Sequence, residues 1–180
     1  MVQPTINIRT VVTTDVKYKN EAAKVVNAAY RSEGGWTTEK DIVSGERCTA
    51  EMMQDFILQS GKPHTLLFAF DQDQVIGTVQ IQHSPEHPGE AEIGLFSVSP
   101  AHQSRGIGGK LVRQAMQEMP RLGYHTAMMH VLENRPEILT WYKKLGFLET
   151  GERIPFVWPE MLKVDKDLHF LTLKKSVEMQ

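Results

Sequence analysis

Apolar positions along this 180-residue chain change period several times, and each change marks an element. Ile6 to Val12 mixes apolar and polar residues as a first strand does. From Thr14 or Asp15, either suited to an N-cap, the spacing turns helical, and Ala22, Val25, Val26, Ala29 and Tyr30 form an inner face ending near Tyr30. Thr49 can cap a second helix whose buried face would be Met52, Met53, Phe56 and Ile57, ending near Ser60-Gly61. Thr65 to Phe70 and Val75 to Gln82 are strands joined as a hairpin around Asp71 to Gln74. Glu90 to Val98 is the next strand. Leu111, Val112, Ala115, Met116, Met119 and Leu122 then set out one face of a helix, with Pro120 expected to end or kink its last turn. Thr126 to Leu132 is a further strand, and Pro136 to Leu145 a short helix with proline near its start. Gly146-Phe147 begins another strand, Arg153 to Pro159 is a proline-bearing loop, and alternation over Leu168 to Leu173 closes the chain. Strands alternating with helices predict an α/β fold with a mixed sheet, in one domain over 1–180 with no internal repeat.

Composition narrows the setting. A net charge of -2 and a pI near 6.4 argue against nucleic acid or an anionic membrane as the main partner. No run approaches a membrane span, and the N-terminus lacks the pattern of a signal peptide, so a cytoplasmic protein is expected. Cys48 is the only cysteine and lies in no nucleophile motif, which leaves an inert thiol as its default. His83 and His87 are separated by Pro85, no metal-binding spacing occurs, and no metal is expected. Met52-Met53 and Met128-Met129 fit a core better than a ligand surface.

The stretch from Leu95 to Leu122 carries the chemistry. Its strand ends at Val98, breaks at Ser99-Pro100, and runs through a polar loop holding Gly106, Gly108 and Gly109 before a helix opens. A first helical turn leaves N–H groups unpaired and carries partial positive charge. Glycines let backbone approach a ligand there, so the turn suits a phosphate or pyrophosphate. A Walker loop does not fit, because Ser104 stands where its first glycine belongs and Leu111 where Ser or Thr should follow the lysine. A dinucleotide fingerprint fails too, since its third glycine would fall at Leu111. What remains is Gln103-Ser104-Arg105-Gly106-Ile107-Gly108, which matches Gln/Arg-x-x-Gly-x-Gly/Ala. Further on, Tyr142-Lys143-Lys144-Leu145-Gly146-Phe147 matches Tyr-x-x-x-Gly-Phe at the end of a helix. In this order the two motifs resemble the GNAT superfamily of N-acetyltransferases, and the resemblance extends from Ile6 to Lys174.

That resemblance implies a twisted, mixed and mostly antiparallel sheet of about six or seven strands flanked by about four helices. The strands ending at Val98 and Leu132 would splay apart and admit acetyl-CoA. N–H groups from Arg105 to Lys110, across Gly106, Ile107, Gly108 and Gly109, would hold the pyrophosphate after Ser104, with the Gln103 and Arg105 side chains assisting. Phe96, Ser97 and Val98 would pair with the pantetheine arm, and an N–H there would polarise the thioester carbonyl. Asn134 sits one position early for the superfamily's Asn-x-x-Ala pattern, with Ile138 at the alanine, so its contact with the cofactor stays open.

Two catalytic roles follow from the same resemblance. Glu92 has the parity of Phe96 and Val98, and some GNAT branches place a catalytic glutamate at this spacing; it is the candidate base, with a plain strand glutamate as the alternative. Tyr142 is the candidate acid, because a departing thiolate (thiol near ~8.5) needs a proton that a phenol (near ~10) can lend; its alternative is a packed ring that only orders the thiol. The acceptor cleft is expected from Arg31, Trp36 and Glu39 with Arg153 and Trp158, the bland reading of Trp36 being a plug in a surface connection. The implied activity is direct transfer of acetyl from acetyl-CoA to an amine in a ternary complex. Two aromatic loops would narrow the cleft and favour a small-molecule amine. A protein or peptide acceptor, or a non-catalytic acyl-CoA-binding module, are the alternatives, and a homodimer stays open.

Overall fold

The computed structural model describes residues 5–31, 46–103, 105–156 and 168–177. In chain order its elements are β1 (Ile6–Thr10), a 3-10 helix (Thr13–Tyr18), α1 (Lys19–Arg31), α2 (Ala50–Leu58), β2 (Thr65–Asp71) and β3 (Gln74–His83). They continue with β4 (Glu90–Val98), α3 (Ile107–Glu118), β5 (Thr126–Leu132), α4 (Pro136–Lys144), β6 (Leu148–Pro155) and β7 (His169–Ser176). The strands form one seven-stranded sheet in the order β1-β2-β3-β4-β5-β7-β6. Only β4 and β5 run parallel; every other pair is antiparallel. The mixed, mostly antiparallel α/β sheet expected from the sequence is what the chain forms.

Helices cover both faces of β2 and β3, which is why these strands read as apolar runs instead of clean alternations. On one face Leu111, Val112 and Ala115 of α3 and Met119 just after it, with Ile138 and Tyr142 of α4, pack against Leu67, Ala69, Val79 and Ile81. On the other, Ala22 and Val26 of α1 and Met53 and Ile57 of α2 pack against Leu66, Phe68 and Phe70. Phe68 is fully buried, and truncating such a ring costs roughly 3–5 kcal/mol. The Thr49 hydroxyl caps α2 by accepting from the Met52 N–H at 3.1 Å.

Several boundaries and faces differ from expectation, each for a local reason. β1 stops at Thr10, and Asp15 caps no long helix. Its carboxylate accepts the Val12 N–H at 2.8 Å and both guanidinium nitrogens of Arg9 at 2.7 and 2.9 Å, holding a 3-10 turn ahead of α1. Met52 lies on the outer side of α2 and is 40% exposed, leaving Met53 and Ile57 as the buried pair. Pro120 ends α3 as predicted, but three-residue-per-turn geometry follows over Pro120–Leu122 and rotates Leu122 off the buried face, to 43% exposure. β6 extends to Pro155, so Arg153 stands in an edge strand and not in a loop.

Candidate active site

β4 and β5 pair only from Glu90 to Glu92 and Thr126 to Met128. Beyond those residues both strands continue, β4 to Val98 and β5 to Leu132, without bonding to each other. β4 stays bonded on its other side to β3, through Ser97↔Thr78 and Val98↔Gly77, while β5 follows β7. The result is a fork in the middle of the sheet, with the β5-facing backbone edge of Ile93 to Val98 without a strand neighbour.

At the open end of β4 the chain turns into α3. Gly106 occupies the N-cap with φ of 77°, a left-handed conformation that glycine adopts at no steric cost, and no side chain caps the helix. The first internal bond runs from the Lys110 N–H to the Gly106 carbonyl at 3.2 Å. The N–H groups of Ile107, Gly108 and Gly109 therefore open the helix without intrahelical acceptors. Gly108 allows close approach: a Cβ there would lie 3.1 Å from Cζ of Phe96 and 3.6 Å from Trp141. Phe96 and Trp141 in turn stack at 5.8 Å between centroids. Arg105 and Lys110 are exposed beside the turn, and Ser104 lies outside the described residues. Gln103 has a structural tie, donating from Nε2 to the Val98 carbonyl at 3.1 Å and so holding the strand end to the loop. Asn134 is exposed in the turn between β5 and α4. These groups fit a pyrophosphate, which needs clustered N–H donors and cationic neighbours.

Glu92 does not share the face of Phe96 and Val98, because β4 is irregular between them. Against Thr78 and Gln80 of β3, β4 pairs Ser97 and Gly94, so β4 carries one residue more than its partner in this interval. Leu95 takes a positive φ of 48° within it. Ala91 and Ile93 face α3 and α4, and so do Phe96 and Val98 after the bulge, while Leu95 faces α1 and α2. Glu92, alternating with Ala91 and Ile93, lies on the face opposite Phe96 and Val98.

There it meets a residue that sequence reasoning passed over. His130 of β5 lies two positions past Met128, the partner of Glu92, and its Nδ1 is 2.6 Å from Glu92 Oε1. The Glu92 hydrogen bond raises the imidazole pKa against the opposing effect of burial, with Glu152 adding to the rise and Lys174 reducing it. Phe170 packs edge-on to the ring. Around the pair, the Thr172 hydroxyl donates to Glu152 at 2.8 Å and Lys174 bonds Glu90 at 3.1 Å. A lone histidine in an otherwise apolar strand was the available signal, but using it requires knowing that β4 and β5 are neighbours.

Tyr142 lies on the α3–α4 face of the sheet, 5% exposed, among Phe96, Trp141 and Phe147. Burial pushes its phenol well above the usual value, and Tyr30 of α1 adds to the rise across the sheet. The side chains expected at the acceptor cleft are only partly described. Arg31 ends α1, and its side chain, with Trp36, Glu39 and Trp158, lies outside the described residues. Arg153 is not a free cation for a substrate carboxylate, because it bonds Glu133 Oε2 at 2.8 and 3.2 Å and holds the Glu133 carboxyl below the usual range. Cys48 is buried, and burial raises its thiol pKa. Among the described residues, no three His, Cys, Asp or Glu side chains group to hold a metal ion, and no helix is long and apolar enough to cross a membrane.

Comparisons with known proteins agree with this architecture. Over 116 residues the chain is 30% identical to mycothiol acetyltransferase of Corynebacterium glutamicum (strain R), covering 64% of this chain and 35% of that protein. Over 86 residues it is 33% identical to N-acetyltransferase 8B of Rattus norvegicus, covering 46% and 39%. The chain thus spans well under half the length of these relatives. YncA of Salmonella typhimurium, solved with its cofactor acetyl-CoA, superposes with a TM-score of 0.71 at 17% identity, over 98% of this chain and 96% of that one. An N-acetyltransferase from Staphylococcus aureus Mu50 does so with a TM-score of 0.72 at 16% identity, over 97% and 99%. The description of the acetyltransferase (GNAT) family matches residues 26–147, and the chain belongs to that family.

Proposed function

We propose that this chain transfers an acetyl group from acetyl-CoA to a primary amine, by direct attack within a ternary complex. The observation that carries this reading is the fork: β4 and β5 part after Glu92 and Met128, beside a helix N-terminus opened by Gly106. Acetyl-CoA would supply an activated thioester carbonyl. The N–H groups of Ile107, Gly108 and Gly109 would bind its pyrophosphate, with Arg105 and Lys110 adding positive charge from the exposed side. The free edge of Phe96 to Val98 would align the pantetheine arm and offer an N–H to the carbonyl under attack. Tyr142 would donate its proton to the departing sulfur; burial keeps the phenol protonated across the working pH range while making it a weaker acid, so the transfer would be drawn by the charge developing on sulfur. The proton of the incoming ammonium would go to the Glu92–His130 pair.

The acceptor is taken to be a small amine. Around the fork, the described face opposite Tyr142 presents Glu92 and Glu152; the Thr172 hydroxyl bonded to Glu152 leaves its negative charge uncancelled, and that charge would attract an ammonium group. The relatives' names include a mycothiol acetyltransferase and an N-acetyltransferase, and the shared stretch is shorter than either protein. A thiol-release assay with acetyl-CoA, run across a panel of small amines, polyamines, amino acids and lysine peptides, tests the proposal. Turnover on a small amine is the expected result; efficient turnover on unstructured lysine peptides alone would overturn the small-amine reading. A thermal-shift titration with CoA precedes it, since binding to the native state raises stability. No shift at millimolar CoA would refute the acetyl-CoA site itself.

A further inference from the structure

Glu92 and His130 form a bridge at the point where the two strands begin to diverge. β5 is still paired to β4 at Met128, while His130 is the next residue on that face and lies past the end of that pairing, where β5 is bonded to β7 alone. The bridge is short, 2.6 Å from Oε1 to Nδ1, and Phe170 packs against the ring from β7. Nε2, on the far side of the ring, has no hydrogen-bond partner among the described residues and is not among the sealed, unsatisfied atoms. We infer that Nε2 of His130 is the atom that accepts the proton of the incoming amine, and that Glu92 is its positioning residue. This inference rests on the acetyl-transfer reading above.

The chemistry distinguishes the two side chains. While the imidazole is neutral, Nδ1 carries the hydrogen and donates it to the Glu92 carboxylate, which leaves Nε2 with an exposed lone pair. A free carboxylate (near ~4.3) is poorly matched to an ammonium, whereas an imidazole near ~6.5 titrates close to operating pH. An ammonium becoming an amide sheds two protons. The first passes to Nε2, freeing the nitrogen lone pair that forms the bond to the acetyl carbon as the bond from carbon to sulfur breaks. The second replaces the proton Tyr142 gives the sulfur, and His130 returns the first to water. Glu92 stabilises the imidazolium formed in between. Among the described residues, the other polar groups facing the ring are Thr172 and Lys174 of β7 and Glu152 of β6; Glu152 favours the imidazolium and Lys174 opposes it.

Nitrogen-resolved NMR of the full chain with ¹⁵N-labelled histidine reads this arrangement without turnover. At high pH His130 is expected as the tautomer protonated on Nδ1, and Glu92→Gln should lower its pKa by about one unit or more. An Nε2-protonated tautomer, or a pKa unmoved in Glu92→Gln, overturns the inference. With acetyl-CoA and the best amine of the thiol-release panel, Glu92→Gln should move the acid limb of kcat/KM to lower pH and cost about tenfold, because orientation is kept and charge is lost. His130→Gln, which can still bond Glu92, should remove that limb and cost about a hundredfold or more. Loss of activity in Glu92→Gln with the limb retained in His130→Gln would make Glu92 the base. CoA binding by thermal shift should be equal in all three proteins; its absence in the wild type would sink the acetyl-transfer reading, and the NMR result would still decide the pairing.

Discussion

Glu92 and Phe96 stand on opposite faces of β4, although they are four positions apart and an unbroken strand would put them on the same face. The extra residue around Leu95 separates the two halves of the chemistry. Before it, Glu92 faces His130 and the polar side of the sheet; after it, Phe96 faces Trp141, Tyr142 and the start of α3. The irregularity falls just past Glu92, where the pairing of β4 with β5 ends.

The strain at Leu95 gives a stability prediction with an unusual sign. Within a strand, glycine is ordinarily less stable than alanine by about 0.5–1 kcal/mol. At φ of 48° that order should reverse, because alanine carries a Cβ into the left-handed region and glycine does not. Both Leu95→Ala and Leu95→Gly lose a side chain that is 2% exposed, at about 2–5 kcal/mol. Urea unfolding should find Leu95→Gly at least as stable as Leu95→Ala. A clear advantage for alanine would mean that the bulge is not strained at this residue.

Gly108 tests where backbone approaches ligand. A Cβ at this position meets Phe96 at 3.1 Å, and a valine would carry further atoms to the mouth of the helix. Gly108→Val should weaken CoA binding by about tenfold or more, roughly 1.4 kcal/mol, as read by calorimetry. Gly106→Ala is its companion, since φ of 77° disfavours any Cβ even though nothing lies within 4 Å of it. An unchanged CoA affinity in Gly108→Val would place the phosphates elsewhere.

Local signals made most of the fold legible. The boundaries of β4, β5 and α2, and the end of α3 at Pro120, follow from period, capping and proline chemistry. The Gly106 turn was legible as well, because a positive-φ cap leaves a mark in composition. What escaped was set by tertiary pairing. Leu95 carries no sequence sign of a bulge, so the period-2 count across it put Glu92 on the wrong face. His130 gains meaning only once β5 lies beside β4, a parallel neighbour reached across α3. Pro155 and Pro159 suggest a loop around Arg153, but edge strands tolerate proline, and among the described residues β6 bonds only to β7.

Asp15 should govern part of the acid stability. Its carboxyl is held below the usual carboxylate range, first by the hydrogen bond from Arg9, with the Val12 N–H contributing and burial opposing. A depressed folded-state pKa stabilises above the unfolded value near ~3.9 and is lost as pH falls through the folded value. Asp15→Asn should therefore cost about 1–3 kcal/mol at pH 7, at the lower end because the Arg9 side chain is 38% exposed. The gap between the two proteins should stay constant down to about pH 5 and shrink below it. Urea midpoints across that range read the effect, and a gap independent of pH would show that Asp15 acts through packing alone.

Tyr142 separates chemistry from packing within a single hydroxyl. The ring is 5% exposed and packs between Trp141 and Phe147, so Tyr142→Phe keeps nearly all of its buried surface. Thermal stability should change little, and acetyl-CoA binding should stay near wild type, because the phosphate turn and the β4 edge are untouched. If the phenol protonates the leaving sulfur, kcat should fall by about a hundredfold, the lower end of what a positioned acid contributes, with KM for acetyl-CoA almost unchanged. Burial also raises the phenol pKa, so the basic limb of the wild-type pH–rate profile should lie above the usual tyrosine range and disappear in Tyr142→Phe. Single-turnover kinetics are the measurement to use, since they isolate the acetyl-transfer step from product release. A single-turnover rate equal to wild type would return Tyr142 to the core and require the departing thiolate to take its proton from water.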